Sequence, residues 1–186
     1  MSGFSIINKI RNKIKIQPQN KLNIHPSTRI RYCNIYIAGK DNLLVIAKGA
    51  NLKRVSIELI GNNCTLIIGE GCVIGEHCYL SCRENSTKLT IGKSTMFSRN
   101  VKIMTSDGHD ILENSKRINY AKDINIGNHV WLADNTTILK GVTIGDNSII
   151  GINSTVTKSV PINSIAAGNP AKVVKSSIYW EETLTY

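Results

Sequence analysis

Aromatic side chains are scarce in this 186-residue chain: six Tyr, two Trp and two Phe make up 5% of it. A core with so few rings must be filled by aliphatic side chains in repeated layers. No stretch approaches a membrane span of roughly 18 consecutive apolar residues, which excludes a membrane-spanning helix. The five cysteines form no CxxC pair, and their odd number argues for a reducing compartment rather than a disulfide framework. Acidic residues are missing from the first 40 positions. That segment holds eight basic side chains (Lys9, Arg11, Lys13, Lys15, Lys21, Arg29, Arg31, Lys40), while the rest of the chain carries 15 basic and 13 acidic groups. The net charge of +10 is therefore an N-terminal property, not the basic face of a nucleic-acid binder.

Residues 1–16 place Ile6, Ile10 and Ile14 at i, i+4 spacing among Lys and Arg, the pattern of a short basic amphipathic helix. Such a helix caps a domain or rests on an anionic membrane surface. It has no apolar core long enough for a cleaved signal peptide. The expected organisation is a basic segment over 1–20, one domain over 21–175, and a tail over 176–186.

What the chain has in abundance is Ile (29) and Asn (20), a quarter of all residues. The Ile are periodic. An aliphatic residue recurs every sixth position at Ile126, Leu132, Ile138, Ile144, Ile150, Val156 and Ile162, with a small or β-branched residue four places after each. The unit recurs upstream as Ile60-Gly-x-x-Cys64, Ile68-Gly-x-x-Cys72, Ile74-Gly-x-x-Cys78 and Ile91-Gly-x-x-Thr95, which puts three cysteines in a compact inward slot. A period of six fits neither a helix at about 3.6 nor hairpins of irregular spacing. It fits a triangular coil in which each unit makes a short strand and a corner, with Gly and Asn where the backbone needs positive φ. The expected fold is all-β, a parallel β-helix that buries a continuous aliphatic ladder.

A regular prism has no cleft, so function is expected where the regularity fails. The ladder runs Ile91, Phe97, Ile103 and resumes at Ile126. The interval from Ile103 to Ile126 is not a multiple of six, so an excursion loop is expected over about 104–123. It contains Thr105-Ser-Asp-Gly-His-Asp-Ile111. Of the four histidines, His25 has no chemical company, and His77 and His129 fall at solvent-facing corners. His109 lies in the loop beside a glycine and between two carboxylates.

The strings Ile126-Gly-Asn-His-Val-Trp-Leu-Ala133, Gly141-Val-Thr-Ile-Gly-Asp146, Gly151-Ile-Asn-Ser-Thr-Val-Thr-Lys158 and Ala166-Ala-Gly-Asn-Pro-Ala-Lys172 resemble the hexapeptide-repeat acetyltransferase family over roughly residues 60–175. The resemblance implies a left-handed parallel β-helix, a homotrimer with active sites between subunits, acetyl-CoA as co-substrate and no metal. It implies His109 as the catalytic base; an imidazole has the right pKa to take a hydroxyl proton. The backbone around Asp134 would bind the oxyanion. Positions matching the family's acetyl-CoA contacts are Ala133, Asp134, Ile152, Thr157, Lys158, Lys172 and Lys175, the lysines facing phosphates. Trp131 and Asp107 are the candidates for acceptor contact, although an outward Trp131 could also pack on a neighbouring subunit. The family's acceptor-holding Asn has no clear equivalent near Ser81 to Asn85.

Ser-Asp-Gly-His-Asp-Ile, followed by Arg117-Ile-Asn119 and Lys122-Asp-Ile, is similar to enzymes that O-acetylate bacterial capsule or lipopolysaccharide sugars, sialic acid polymers included. A carbohydrate acceptor is thus expected, in a cytoplasmic protein with possible peripheral membrane contact through residues 1–16. The alternatives are N-acetylation of an amino sugar and O-acetylation of a small sugar or xenobiotic. More distant are a γ-type carbonic anhydrase, for which the His-x4-His pair is missing, and a non-enzymatic solenoid.

Overall fold

The computed structural model describes residues 11–183 and 185, and beyond the helical Arg11 every regular element among them is a strand. Alternation of outward polar and inward aliphatic residues, as in Lys-Ile-Lys-Ile at Lys13–Ile16, dictates strands with one buried side. Three sheets of seven, six and eight strands result, parallel throughout except for the last strand of the third. The chain visits them in turn, so they form the three faces of a prism. The first face includes Lys13–Ile16, Asn34–Lys40, Ser56–Asn62, Tyr79–Asn85, Lys102–Met104, Thr137–Ile138 and Thr155–Val156. The second runs from Lys21–Ile24 to Thr143–Ile144, the third from Arg29–Arg31 to Ser164–Gly168. Inward residues such as Ile35, Ile57, Leu80, Ile103, Ile138 and Val156 are fully buried and stack into one continuous core. Among the described residues, Phe97 is the one Phe buried there.

Corners supply the turns. Asn63, Asn100, Asn135, Asn147, Asn153 and Asn163 all have positive φ, where an amide side chain tolerates the left-handed region. The Asn100 amide donates to Asn135 (3.1 Å) and Asn135 to Asn153 (2.9 Å), so corners are tied rung to rung. At Gly61 the backbone itself demands glycine, since any side chain would be both strained and obstructed. Its φ is +138°, and a β-carbon there would lie 1.8 Å from the Glu84 carbonyl oxygen.

The six-residue period holds strictly only after the loop. Thr137 stacks on Thr155, three whole repeat units further on. Ser56 stacks on Tyr79 and Tyr79 on Lys102, turns too long to be a whole number of units. The surplus lies in seven-residue strands on the first face, Asn34–Lys40, Ser56–Asn62 and Tyr79–Asn85 (7 res each). Two ladder positions are corrected, one by this surplus and one by a short last turn. Ile60 is only half-buried, and Leu59 points inward in its place. Ile162 is 62% exposed because the final turn is shortened, so Val160 pairs with Ile144 and Ala166 with Ile150.

The N-terminal helix reading is corrected over Lys13–Ile16, while Arg11 before it is helical. Lys13–Ile16 is a strand paired with Asn34 to Ile37, because its period-two alternation fits the neighbouring strand's free backbone groups. The coil thus begins before position 21; residues 1–10 of the expected helix lie outside the described residues. At the other end, Ala171–Ser176 turns back antiparallel on Ser164–Gly168, and Trp180 is buried to 7% exposure. All five cysteines are buried and unbridged. Burial pushes the Cys72 and Cys78 thiols up to about 11, away from nucleophilic use.

Candidate active site

The loop leaves the first face after Met104 and rejoins the second at Ile124, along the edge between those faces. The Thr105 carbonyl accepts the Lys122 N–H (3.0 Å) and closes its neck. Leu112–Glu113 and Lys116–Arg117 pair antiparallel across Asn114 and Ser115, both at positive φ, as a tight two-residue hairpin turn demands.

Glu84, at the end of a first-face strand one turn below, holds both arms. Its carboxylate accepts from Ser106 Oγ on the outgoing arm (2.6 Å), and from Arg117 Nη2 (2.7 Å) and the Ala121 N–H (3.3 Å) on the returning arm. Asn119 binds the tip from within. Its Nδ2 donates to the His109 carbonyl and to Asp107 Oδ2 (2.8 Å each), and its Oδ1 accepts the Ile111 N–H (2.8 Å). Lys140, one turn above, donates to Asp107 and to the Asn119 carbonyl (2.8 Å). Arg117 Nε pairs with Asp110 Oδ1 at 3.0 Å. The backbone on both sides of His109 is therefore fixed, while its side chain is exposed and makes no hydrogen bond among the described residues.

Burial works against the charge of Glu84 and Asp107. Hydrogen bonds from Arg117, Ser106 and the Ala121 N–H for the first, and from Lys140 and Asn119 for the second, outweigh it and hold both carboxyls below their usual range. Lowered folded values mean that these contacts are fully present above the ordinary carboxylate pKa and fade as pH falls through the lowered one. Protection of the Ala121 and Ile111 amides from hydrogen exchange should hold from neutral pH down to about 4 and collapse below it.

A second feature occupies a different edge, between the third and first faces. A groove of about 740 Å³ is lined there by Trp131, Ala133, Asp134, Ile149 and Ile152, with Ser98 and Arg99 beneath. Trp131 donates to Ser98 Oγ (3.2 Å), and its ring meets that of Trp180 at 5.8 Å. Trp180 in turn stacks on His129 (4.1 Å, 4°) and donates to its carbonyl (2.8 Å). His129 is thus covered by the tail, whereas His77 keeps most of its ring in solvent. Asp134 forms a forked pair with Arg99 (2.6 Å), whose hydrogen bonds keep its carboxyl low.

The candidates from the sequence therefore fall into separate places within one chain. Trp131, Ala133, Asp134 and Ile152 share the groove. His109 and Asp107 sit on the loop edge, as do exposed Thr157 and Lys158 at the corner after Thr155–Val156. Lys172 and Lys175 are exposed on the antiparallel strand that ends the third face. The Asp107 carboxylate is already taken by Lys140 and Asn119. Sequence reasoning passed over Glu84, Lys140 and Trp180, because nothing in a linear pattern relates a strand end to a loop that follows a full turn later.

This is the fold of the hexapeptide-repeat transferases, and the chain belongs to that family. Residues 123–158 match the family described as Bacterial transferase hexapeptide (six repeats). The chain is 36% identical over 183 residues to the polysialic acid O-acetyltransferase of Neisseria meningitidis, covering 87% of this chain and 85% of that protein. It is 48% identical over 120 residues to the polysialic acid O-acetyltransferase of Escherichia coli O1:K1 / APEC, covering 63% of this chain but 38% of that longer protein. Among solved structures, the polySia-specific acetyltransferase NeuO superposes with a TM-score of 0.72 at 30% identity, over 90% of this chain and 91% of that one. No helix among the described residues is long and apolar enough to cross a membrane.

Proposed function

We propose that the protein is an acetyl-CoA-dependent O-acetyltransferase acting on a sugar hydroxyl of an anionic bacterial surface polysaccharide, with polysialic acid as the first candidate. The observation that carries the reading is the loop. An exposed histidine stands on a backbone pinned from the turns below and above it, in a chain whose relatives are named for this reaction.

His109 takes the proton of the acceptor hydroxyl as its oxygen attacks the thioester carbonyl carbon. The backbone around Asp134 binds the oxyanion, the carbon–sulfur bond breaks, and the proton passes to the departing CoA thiolate. The apolar groove along Trp131 and Ile152 suits the pantetheine arm, while Lys158, Lys172 and Lys175 suit the phosphates.

His109 and the groove lie on different edges of one prism, which supports sites built between copies in a homotrimer. The metal-free chemistry above needs only these groups, and a supply of acetyl-CoA suits the cytoplasm.

Thiol release from acetyl-CoA in the presence of polysialic acid, with an ester recovered on the polymer, is the expected result. An amide product would favour amino-sugar N-acetylation, and no transfer to any polysialic acid would overturn the reading. Mixing inactive His109→Ala and groove-filling Ala133→Trp subunits should restore part of the activity if each site draws on two copies.

A further inference from the structure

Resting on that reading, we infer that the outer face of the seven-stranded sheet is a docking track for the anionic polymer, with Arg83 taking an acidic group next to the reacting sugar.

Side chains on this face stand perpendicular to it, and pairing stacks them in columns along the coil axis. One column is Lys15, Tyr36, Glu58, Ser81, Met104; the next is Lys13, Asn34, Ser56, Tyr79, Lys102. The five strands of these columns hold two carboxylates, and both are used. Glu58 accepts from Tyr79 (2.6 Å) and Arg83 (2.7 Å), while Glu84 holds the loop. Lys13, Lys15, Lys40 and Lys102 are exposed and in no ion pair among the described residues. Lys15 lies over the Tyr36 ring at 5.6 Å. The face thus combines bases, phenol rings and hydroxyls with no carboxylate left to repel a polyanion.

Arg83 stands where this face meets the loop. Its Nε donates to Ser81 Oγ (3.1 Å), and its Nη2 to Glu58 and Tyr79, which fixes the guanidinium plane. Nη1 has no partner among the described residues, and it lies 4.0 Å from where a β-carbon on Gly108 would sit. Gly108 leaves that space open, immediately before His109. A carboxylate on the acceptor can reach Nη1 there.

From Arg83 the track descends three strand spacings to Lys15, about 14 Å, which is a linear succession suited to a linear polyanion.

The test compares native polysialic acid, the same polymer with its carboxyls reduced, and a short sialic acid oligomer, using Arg83→Gln, Arg83→Lys and the double variant Lys13→Gln/Lys15→Gln. Removing one charge-assisted contact should raise the acceptor KM of Arg83→Gln about tenfold on native polymer and little on reduced polymer. Arg83→Lys should recover part of the loss, and the KM for acetyl-CoA should stay within about twofold throughout. The double lysine variant should lose more affinity for the long polymer than for the oligomer, with the difference shrinking at high salt.

Equal effects on native and reduced polymers, or none on either, would overturn the track. So would a change in oligomer mass in the lysine variant, which would make this face a contact between copies. Calorimetric titration with polysialic acid separates the two proposals. Binding that these variants weaken, without acetyl transfer by the wild type, keeps the track and removes the proposed reaction. Transfer by the wild type with the variants unaffected does the reverse.

Discussion

His109→Ala should lower acetyl transfer by about 10²–10⁴-fold, the range over which a positioned general base contributes. The effect should fall on kcat. His109 is assigned a proton transfer and no contact that holds acetyl-CoA, so the KM for that substrate should hardly move. The fold should not change either, because an exposed side chain without hydrogen-bond partners leaves no buried group unsatisfied. Steady-state thiol release, with circular dichroism and oligomer mass as controls, checks all three points. A variant that keeps wild-type turnover would remove His109 from the mechanism and require another base.

The second large effect is expected at Glu84, which touches no proposed substrate. Its carboxylate ties Ser106 to Arg117 and Ala121, so Glu84→Ala releases both arms of the loop together. Arg117, at 22% side-chain exposure, would then keep only its exposed partner Asp110 among carboxylates. A displacement of the base of about 1 Å is enough for a loss on the order of 10²-fold in rate. Glu84→Gln should fall between wild type and Ala, since the amide oxygen can still accept from Ser106 while the charge facing Arg117 is gone. The signature is a kcat loss with lost exchange protection at Ala121 and Ile111, and with core strands such as Tyr79–Asn85 still protected. A drop in global stability alone, with kcat preserved in the remaining folded protein, would reduce Glu84 to a structural role.

Much of the coil was legible in the sequence because its cause is local. A six-residue unit makes one strand and one corner, so the ladder from Ile126 to Val156 follows directly from spacing. The ladder misled at Ile60 and Ile162 for one reason: an aliphatic residue there keeps the sequence phase, while a longer strand or a shorter last turn shifts the structural one. Lys13–Ile16 satisfies helical and strand patterns at once, and only the neighbouring strand settles it. The loop was legible as a break in phase, and His109 as its unusual residue. Its supports were not. Glu84, Asn119 and Lys140 come together through stacking of turns, a relation that depends on the length of every intervening corner. Arg83 escaped for the same reason, being remote from Gly108 along the chain yet adjacent to it across one turn.

The loop departs after the fifth of seven strands on the first face and is fastened to the turns on either side of its own. A stacked array contacts only its nearest neighbours, so it opens from its ends inward. Fraying of the first turns or of the terminal antiparallel strand can proceed without disturbing Glu84 or Lys140. His109 is therefore insulated from local unfolding, and losing its alignment costs close to the opening of the coil's middle.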